Sequence, residues 1–404
     1  MLTMVHTNPA RVDHGVLRVD RKFHLGMKSY VEQIVEPIVS IHPASAPNEQ
    51  TMDAIEVPCR SLGYQIVTVR TDGHGRPVPD DLAKIEQQIR GSRLVYGGGF
   101  GTTAIARQMG VPYILVLEYD LQTQITVTTS QVSSRARKSV RAMRRVAGYV
   151  STDIADMVRA HGLHCNGYPV FDQSGRFNGN RLLYLDSRMS RSMVISEDDL
   201  AHRLAGRFGR PLRLLYSGRY EPIKGAADAV RVGLECLRRG LDVEMHCYGQ
   251  GSLAPQMARL AAESGSRIHV HDAVPYPELV KISQGFDIFV CCHVQSDPSC
   301  TYLESFGAGL PIVGYANRMW RRLSAESGAG FASPMARPAA VVDNIQRLAA
   351  DFSMLSRMSA GARRFAADHA FEEEFARRVG DLNAVLARSG PADGQPVTQP
   401  RGSA

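Results

Sequence analysis

The sequence predicts an α/β protein built from two doubly wound domains with parallel sheets. Its 404 residues suffice for two or three domains of ordinary size, and 44% of them are hydrophobic, as in soluble globular proteins. In the second half, short β-rich runs such as residues 212–216 and 243–248 alternate with helical stretches. Strands and helices that alternate at this spacing indicate βα units and therefore a parallel sheet.

The first half shows the same alternation with weaker periodicity. We predict a helix over 80–90 with Asp80 as its cap, a short strand at 149–150, and a helix from Thr152 or Asp153 to 161. Periodicity fades over 166–210, which is typical of a passage between domains. The remaining predicted elements are strands at 1–6, 64–69, 93–96 and 112–118, and helices at 27–35, 103–109 and 131–147.

The second half is more regular, and its pattern sets the predicted division of the chain. Residues 1–190 form the first domain, with an interdomain linker at about 171–210, and residues 211–370 form the second. A last helix occupies 371–390, and the Pro/Gly/Ser/Gln-rich tail 391–404 is predicted to be disordered. The predicted strands lie at 212–216, 243–248, 268–271, 286–292 and 310–313, and the helices at 226–239, 252–264 and 276–284.

Composition excludes several classes of protein. The seven cysteines are odd in number and lack a CxxC pair, which favours a reducing cytosol over a disulfide frame or a zinc site. No signal peptide and no membrane span are apparent, so the predicted location is cytoplasmic. The net charge of +7 fits an anionic ligand or membrane surface, and no nucleic-acid-binding motif accompanies it.

Basic residues concentrate in two places. A predicted helix carries Arg137, Lys138, Arg141 and Arg144, and a basic amphipathic helix is a candidate for lying on anionic lipid. Lys22 and His24 precede another helix and could hold an acceptor or a phosphate. In both places a solvated basic surface remains open as the alternative.

Residues 295–314, QSDPSCTYLESFGAGLPIVG, join a buried strand to a helix N-terminus and then to another strand. Pro298 and Ser299 suit the entry of the helix, and Glu304 falls in its first turns. A helix N-terminus presents free N–H groups and partial positive charge. A diphosphate could therefore bind here, whereas the open alternative is one more ordinary βα unit.

Four segments in order carry a resemblance to a known family. Residues 214–225, LLYSGRYEPIKG, resemble the G-R-x4-K-G segment of retaining GT-B glycosyltransferases of the group 1, or family 4, type. The segments 249–251, 286–290 and 303–313 resemble the second domain of that family at compatible spacing. The resemblance is close over 212–332, loose over 93–170 and poor over the first 90 residues.

The resemblance implies a GT-B enzyme that moves a sugar from a UDP- or GDP-sugar to an acceptor hydroxyl, with retention of anomeric configuration. The first domain would bind the acceptor, the second the donor across a cleft, and the last helix would cross back to the first domain. The acceptor is expected to be lipid-linked, a glycan or a small molecule. No cofactor is required and Mg²⁺ is optional. A lipid acceptor would favour peripheral attachment to the inner face of the cell membrane.

The resemblance also assigns roles to residues. Arg219 and Lys224 would clamp the diphosphate beside Gly218, and Glu304 would accept hydrogen bonds from ribose hydroxyls. Other donor contacts fall on Ser299, Cys300 and Thr301, and on Asp297 and Ser296. Ser296 stands where the family has the first glutamate of its Glu-x7-Glu motif, and Asp297 is a potential substitute.

One position of the first domain also departs from the family. Glu118 stands near the place where many relatives carry a histidine beside the reacting carbon. A carboxylate there could stabilise an oxocarbenium-like centre or orient the donor, and a structural role stays open. Two rival functions also remain: a nucleotide-sugar epimerase or hydrolase, and a non-catalytic nucleotide-sugar-binding protein.

Overall fold

A computed structural model describes residues 1–45, 54–72, 76–130 and 132–388 of the chain. The predicted tail 391–404, the last two residues of the predicted 371–390 helix and Gln131 lie outside the described residues. The architecture is α/β with two parallel sheets, as predicted. A small three-stranded antiparallel sheet accompanies them.

Ten strands are described in the first half of the chain. The first parallel sheet has seven of them, in the order β10-β9-β8-β7-β1-β4-β6, and β2, β3 and β5 form the antiparallel sheet. Strands later in the chain lie farther from the centre of the sheet on both sides: β4 and β6 follow β1 to one edge, and β8, β9 and β10 follow β7 to the other. This is the doubly wound pattern. The strands are β1 Leu2–Val5, β2 Arg11–Asp13, β3 Val16–Asp20, β4 Ile38–Pro43, β5 Ala54–Pro58, β6 Gln65–Val69, β7 Leu94–Gly97, β8 Tyr113–Leu117, β9 Gly162–Asn166 and β10 Arg181–Tyr184.

Side-chain caps start several helices of the first half. Asp20 accepts a hydrogen bond from the Phe23 N–H, and Asp120 accepts one from Thr123, so α1 and α4 begin where carboxylates satisfy free N–H groups. The helices are α1 Arg21–Gln33, α2 Pro79–Arg90, α3 Thr102–Gln108, α4 Leu121–Thr129, α5 Arg135–Gly148, α6 Ile154–Arg159 and α7 Tyr168–Ser174.

Two expectations for the first half are wrong. The predicted strand at 149–150 is instead a π-helical turn, Tyr149–Asp153, that joins α5 to α6. The β-propensity of a Tyr-Val pair is overridden because the helix continues through it, and the Val150 side chain is exposed. Asp80 is not the cap of α2 either, because that helix already begins at Pro79. The passage over 166–210 holds α7, β10 and a helix over Glu197–Ala205, whose short lengths hide their periodicity.

The second sheet has the strand order β13-β12-β11-β14-β15-β16, and all its pairs are parallel. This is the 3-2-1-4-5-6 order of a Rossmann sheet, with its switch point between β11 and β14. Its strands are β11 Leu212–Ser217, β12 Val243–Tyr248, β13 Ile268–His271, β14 Ile288–Cys291, β15 Ile312–Tyr315 and β16 Gly330–Ser333. The helices are α8 Glu197–Ala205, α9 Ala226–Arg238, α10 Ala254–Ala262, α11 Tyr276–Ser283, α12 Thr301–Gly307, α13 Arg318–Ser327, α14 Pro338–Ala350, α15 Phe352–Asp368 and α16 Phe371–Arg388.

The last helix, α16, packs against the first half of the chain although it follows the second sheet. Its Phe375, Val379 and Leu382 share one apolar core with Leu2 and Tyr30. The Arg93 guanidinium donates a hydrogen bond of 2.8 Å to the Leu386 carbonyl near the end of the helix. The C-terminal helix therefore ties the second half of the chain to the first.

Leu382→Ala should lower the free energy of unfolding by about 2–5 kcal/mol, because the fully buried leucine would leave a cavity in that shared core. Chemical denaturation followed by circular dichroism measures the loss. Arg388→Ala, at an exposed position of the same helix, serves as the control and should change stability by less than about 0.5 kcal/mol. Equal effects of the two substitutions would contradict this packing role.

Candidate active site in the cleft between the two sheets

A cleft of about 1240 Å³ lies at the carboxyl ends of the second sheet's strands and is also lined by α1. Ligands of open α/β sheets bind at this edge, where the strand order reverses. Positive charge outweighs negative charge in its lining, which suits an anion. The charged lining residues are Asp20, Arg21, Lys22, Lys28, Glu32, Arg188, Arg219, Lys224, Glu304 and Glu372.

Two of the predicted donor contacts come from the loop after β11. The Arg219 side chain is exposed, and it makes no hydrogen bond or ion pair with any described residue. Lys224 is only 6% exposed and ends a 3-10 turn, Pro222–Lys224. Gly218 also lines the cleft. The three predicted residues Gly218, Arg219 and Lys224 thus line the same cleft.

Lys224 is held by a buried ion pair. Its Nζ lies 2.7 Å from Oδ2 of Asp297, a residue of the loop after β14. Burial alone would raise the pKa of Asp297, but the Lys224 ammonium outweighs it and the pKa falls below its usual range. Asp297 is therefore an ionised partner of Lys224. It is not among the residues that line the cleft, and its Oδ1 is buried without a hydrogen bond among the described residues.

His293 lies in the same wall and was not predicted from the sequence. Its ring is 1% exposed, lines the cleft, and neither ring nitrogen has a hydrogen-bond partner among the described residues. Burial lowers its pKa to about 3, and the Lys224 cation acts in the same direction. The imidazole is neutral near pH 7, so it offers one donor and one acceptor to whatever enters the cleft.

The entry of α12 also faces the cleft. Ser299, Cys300 and Thr301 line it, and the backbone N–H groups of Cys300 and Thr301 have no acceptor in the described part of the chain. Such unpaired donors at a helix start suit an anionic group. Ser296 differs, because it is not among the residues that line the cleft and its Oγ accepts a hydrogen bond of 3.1 Å from the Arg318 N–H.

Glu304 lines the cleft and already has a partner that sequence reasoning missed. Nε and NH2 of Arg188, in the passage between the sheets, both lie 3.0 Å from Oε1 of Glu304. The Arg188 guanidinium also stacks 4.1 Å from the centre of the Tyr276 ring, whose hydroxyl is buried and unpartnered among the described residues. Glu304 Oε2 makes no hydrogen bond with a described residue, so one carboxylate oxygen is open.

Of the two candidates near the start of α1, Lys22 lines the cleft and His24 does not. Lys22 reaches across the cleft: its Nζ pairs with Asp186 and lies 3.2 Å from the Cys300 Sγ. Burial would lower the pKa of Lys22, but Asp186 and Cys300 outweigh it and raise that pKa. Sequence reasoning placed Lys22 and His24 together, yet their side chains leave α1 in different directions.

Glu118 follows the end of β8 and is outside the lining of the cleft. Its oxygens accept hydrogen bonds of 2.6 Å from Asn166 and 3.1 Å from Tyr184. Packing around the carboxylate removes part of its hydration, and with the nearby Asp186 this raises the pKa of Glu118. Partial burial, with a smaller effect of the Asp297 carboxylate, raises the pKa of Tyr119, the next residue.

The four predicted basic residues Arg137, Lys138, Arg141 and Arg144 all lie exposed on α5. This helix buries none of its residues. Val140 and Met143 of α5 are 42% and 63% exposed, so apolar side chains stand among the cations. Within the described ranges, no helix combines the length and apolar character needed to cross a bilayer.

Comparisons with known proteins agree with this fold and cleft. Residues 211–351 match the sequence model of the family described as glycosyl transferases group 1. No curated protein shows a significant sequence match. Solved structures with the same fold cover nearly the whole chain, at identities that establish the fold alone.

Three of these structures illustrate the likeness. Sucrose-phosphate synthase from Thermosynechococcus elongatus aligns with a TM-score of 0.65 at 13% identity, covering 96% of this chain and 99% of its own. HepE from Anabaena, in complex with UDP and glucose, aligns at 0.61 and 11% identity, covering 95% and 99%. WaaG, a glycosyltransferase involved in lipopolysaccharide biosynthesis, aligns at 0.57 and 12% identity, covering 95% and 99%.

The two domains and the cleft between them define a GT-B glycosyltransferase fold, as the resemblance implied. Residues 211–351, which match the group 1 glycosyltransferase model, contain Arg219, Lys224 and Glu304. The chain therefore combines the GT-B fold with a second-half segment that matches group 1 glycosyltransferases.

His293 gives a pH-dependent signature of the cleft. Its folded-state pKa is about 3 and its ordinary value is 6.5, so between these values the unfolded chain binds one proton more and stability rises with pH. In His293→Gln the slope of unfolding free energy against pH in this window should be smaller by up to about 1.4 kcal/mol per pH unit. Urea titrations at several pH values measure it, and identical slopes in both proteins would contradict a neutral buried imidazole.

Proposed function

We propose that this protein transfers a hexose-type sugar from a UDP- or GDP-sugar to an acceptor hydroxyl, with retention of anomeric configuration. The observation that carries the proposal is that one cleft is lined by Arg219 and Lys224 and also by Cys300 and Thr301, whose N–H groups have no acceptor among the described residues. HepE, of the same fold, is crystallised with UDP and with UDP-glucose, which supports a nucleoside diphosphate donor here. Retention is inferred from the resemblance to group 1 enzymes.

The proposed donor site divides by chemistry. The diphosphate would lie between Arg219, Lys224 and the start of α12, where cations and N–H donors meet it. The open Oε2 of Glu304 would accept a ribose hydroxyl. The unpartnered ring nitrogens of His293 would then bind a hydroxyl of the transferred sugar, since buried polar groups are normally hydrogen-bonded. Asp297 lies behind the lining and would reach the sugar only through its unpartnered Oδ1.

In the proposed reaction the bond between the anomeric carbon and the diphosphate oxygen breaks while the acceptor oxygen bonds to the same face of that carbon. The leaving diphosphate takes up the acceptor proton. Negative charge builds on the diphosphate as it leaves, and preorganised cations aimed at it lower the barrier. The proposal assigns this role to Arg219 and Lys224 and keeps Mg²⁺ optional.

The acceptor would enter from the first-domain side, between α1 and the end of β8. Lys22 lines that side. Glu118 lies outside the lining at the end of β8, so it would have to turn toward the cleft to orient the acceptor or stabilise positive charge on the sugar. Lys22 is already paired with Asp186, so we assign it to holding the two sides of the cleft together. His24 lies outside the cleft lining, and we do not propose it as an acceptor contact.

We further propose that α5 lies on an anionic membrane surface and presents a lipid-linked acceptor to the cleft. Exposed cations would attract the anionic headgroups, and Val140 and Met143 would enter the interface. WaaG, of the same fold, takes part in lipopolysaccharide biosynthesis, which supports an acceptor of this kind. The protein would then be cytoplasmic and peripheral to the inner face of the membrane.

Nucleotide binding and turnover test the donor site. UDP or GDP at about 100 times its dissociation constant should add about 2.7 kcal/mol of stability to the wild type, seen as a raised unfolding midpoint. Arg219→Ala should lower turnover of the matching nucleotide sugar by roughly 10²-fold, because a charge-stabilising donor is lost. Arg219 is the better probe, since Lys224→Ala would also leave Asp297 buried and unpaired.

Arg259→Ala, at an exposed position on α10, is the matched control and should keep full turnover. The NMR spectrum of the product gives its anomeric configuration, and an inverted product would exclude retention. Normal turnover in Arg219→Ala would refute the diphosphate assignment. Free nucleotide formed without an acceptor, or an epimerised sugar, would instead identify a hydrolase or an epimerase.

Reversing the charges of Arg137, Lys138, Arg141 and Arg144 to glutamate should abolish salt-sensitive binding to phosphatidylglycerol vesicles, because α5 would then repel the surface. Co-sedimentation with vesicles measures this. The control reverses four exposed cations of the second domain and should still bind: Arg238, Arg259, Lys281 and Arg357. A wild type that does not sediment with these vesicles, or a control that loses binding equally, would rule out α5 as the docking surface.

A further inference from the structure

A cluster of imidazole and carboxylate groups lies on the face of the second sheet, near its edge and separate from the proposed donor contacts. Glu244 and His246 come from β12, and His269 comes from the edge strand β13. In the parallel register His246 stands opposite His269. Alternate residues of a strand share a face, so Glu244, His246 and His269 project to the same side.

The other face of these strands is the buried one. Val243, Met245 and Cys247 lie in the apolar core, with at most 1% of their surface exposed. Glu244, His246 and His269 are instead partly exposed, at 30%, 21% and 36% of their side chains. An ion from solution can therefore reach all three.

We propose that Glu244, His246 and His269 bind one divalent transition-metal ion of the Zn²⁺ class. Nε2 of His246 and Nε2 of His269 lie 3.1 Å and 3.7 Å from Oε1 of Glu244. One ligand atom from each residue lies within 4.8 Å of the others. Ligands at 2.0–2.2 Å from a tetrahedral ion stand about 3.3–3.6 Å apart, so small side-chain movements complete the site.

The surrounding groups fit this role. Nδ1 of His246 lies 2.9 Å from Nε2 of His271, so His246 can donate its Nδ1–H to His271 while Nε2 binds the ion. Histidine ligands usually donate their second ring N–H in this way, which fixes the ring and its tautomer. On the opposite side Nε of Arg213 lies 3.9 Å from Oε2 of Glu244 and leaves Oε1 free for the ion.

The ligand types define the class of metal. Two imidazoles and one carboxylate favour Zn²⁺ and its first-row neighbours over Mg²⁺ or Ca²⁺, which prefer oxygen ligands. Three protein ligands leave a fourth position for water, as in open zinc sites. The bound ion would cross-link β12 to the edge strand β13, close to Tyr248 and Ala273 of the cleft lining.

The test uses the full-length protein without a histidine tag, stripped with EDTA and dialysed. Isothermal titration with ZnCl₂ should show one ion per chain, and Co²⁺ should give the visible absorption of a four-coordinate site. Glu244→Gln and His269→Gln should each lower Zn²⁺ affinity at least about tenfold. His271→Ala should lower it about 10–100-fold, the effect of losing a group that orients a ligand.

His202→Gln, at an exposed position on α8, is the matched control and should keep wild-type affinity. Unfolding midpoints in EDTA show whether each variant is folded, and Zn²⁺ should raise the midpoint of the wild type but not that of Glu244→Gln. Absence of Zn²⁺ binding at millimolar concentration would overturn the proposal. Retained one-to-one binding in both Glu244→Gln and His269→Gln would do so as well.

Discussion

The candidate site depends on the buried ion pair between Lys224 and Asp297. These residues belong to the loops after β11 and β14, the two strands at the switch point of the second sheet, so the 2.7 Å contact joins both loops. Gly225 makes that junction possible: its φ is +59°, and a Cβ there would lie 1.9 Å from the Cys292 carbonyl oxygen. The backbones approach closely, and the pair locks Lys224 beside the cleft.

Asp297 therefore has a structural role, as the partner of Lys224, that its position in the sequence does not indicate. A buried ammonium needs a carboxylate partner, because removal of one member of such a pair costs about 3–5 kcal/mol. The resemblance offered Asp297 as a replacement for a sugar-binding glutamate that is absent at Ser296. In the structure one Asp297 oxygen binds Lys224, and the Ser296 hydroxyl accepts a hydrogen bond from the Arg318 N–H. The ring nitrogens of His293 are therefore the unpartnered polar atoms that line the cleft in this region.

Sequence patterns predicted the second domain well because its loops carry glycines at close backbone contacts and its strands are short apolar runs between them. They did not predict Arg188, Tyr276 or His293, which also line the cleft. Arg188 and Tyr276 are 88 residues apart in sequence and meet only in the folded chain, so no local pattern encodes that contact. His293 lies two residues after the buried strand β14, and a single histidine outside the strand gave no periodic signal.

The histidine cluster shows the same limit. Cysteine spacing argued against a zinc site, whereas the polar faces Glu244-x-His246 and His269-x-His271 were visible as period-two patterns on two separate strands. Only the pairing of β12 with β13 brings them together. A register shifted by one residue would send the histidines of β13 to the opposite face, so the cluster depends on the sheet and not on either strand alone.

The contact between Arg188 and Glu304 links the proposed donor site to the passage between the domains. Arg188 occupies one oxygen of Glu304, and its guanidinium lies over the Tyr276 ring at the cleft wall. A ribose diol that binds Glu304 would need the open oxygen and would compete with Arg188 for the other. Under the proposed function, donor binding would therefore act on a residue only two positions from Asp186, the partner of Lys22 on α1. Two contacts of this passage, Arg188 with Glu304 and Asp186 with Lys22, lie two residues apart in sequence. Under the proposed function, this passage is the segment through which donor binding would reach the first helix of the chain.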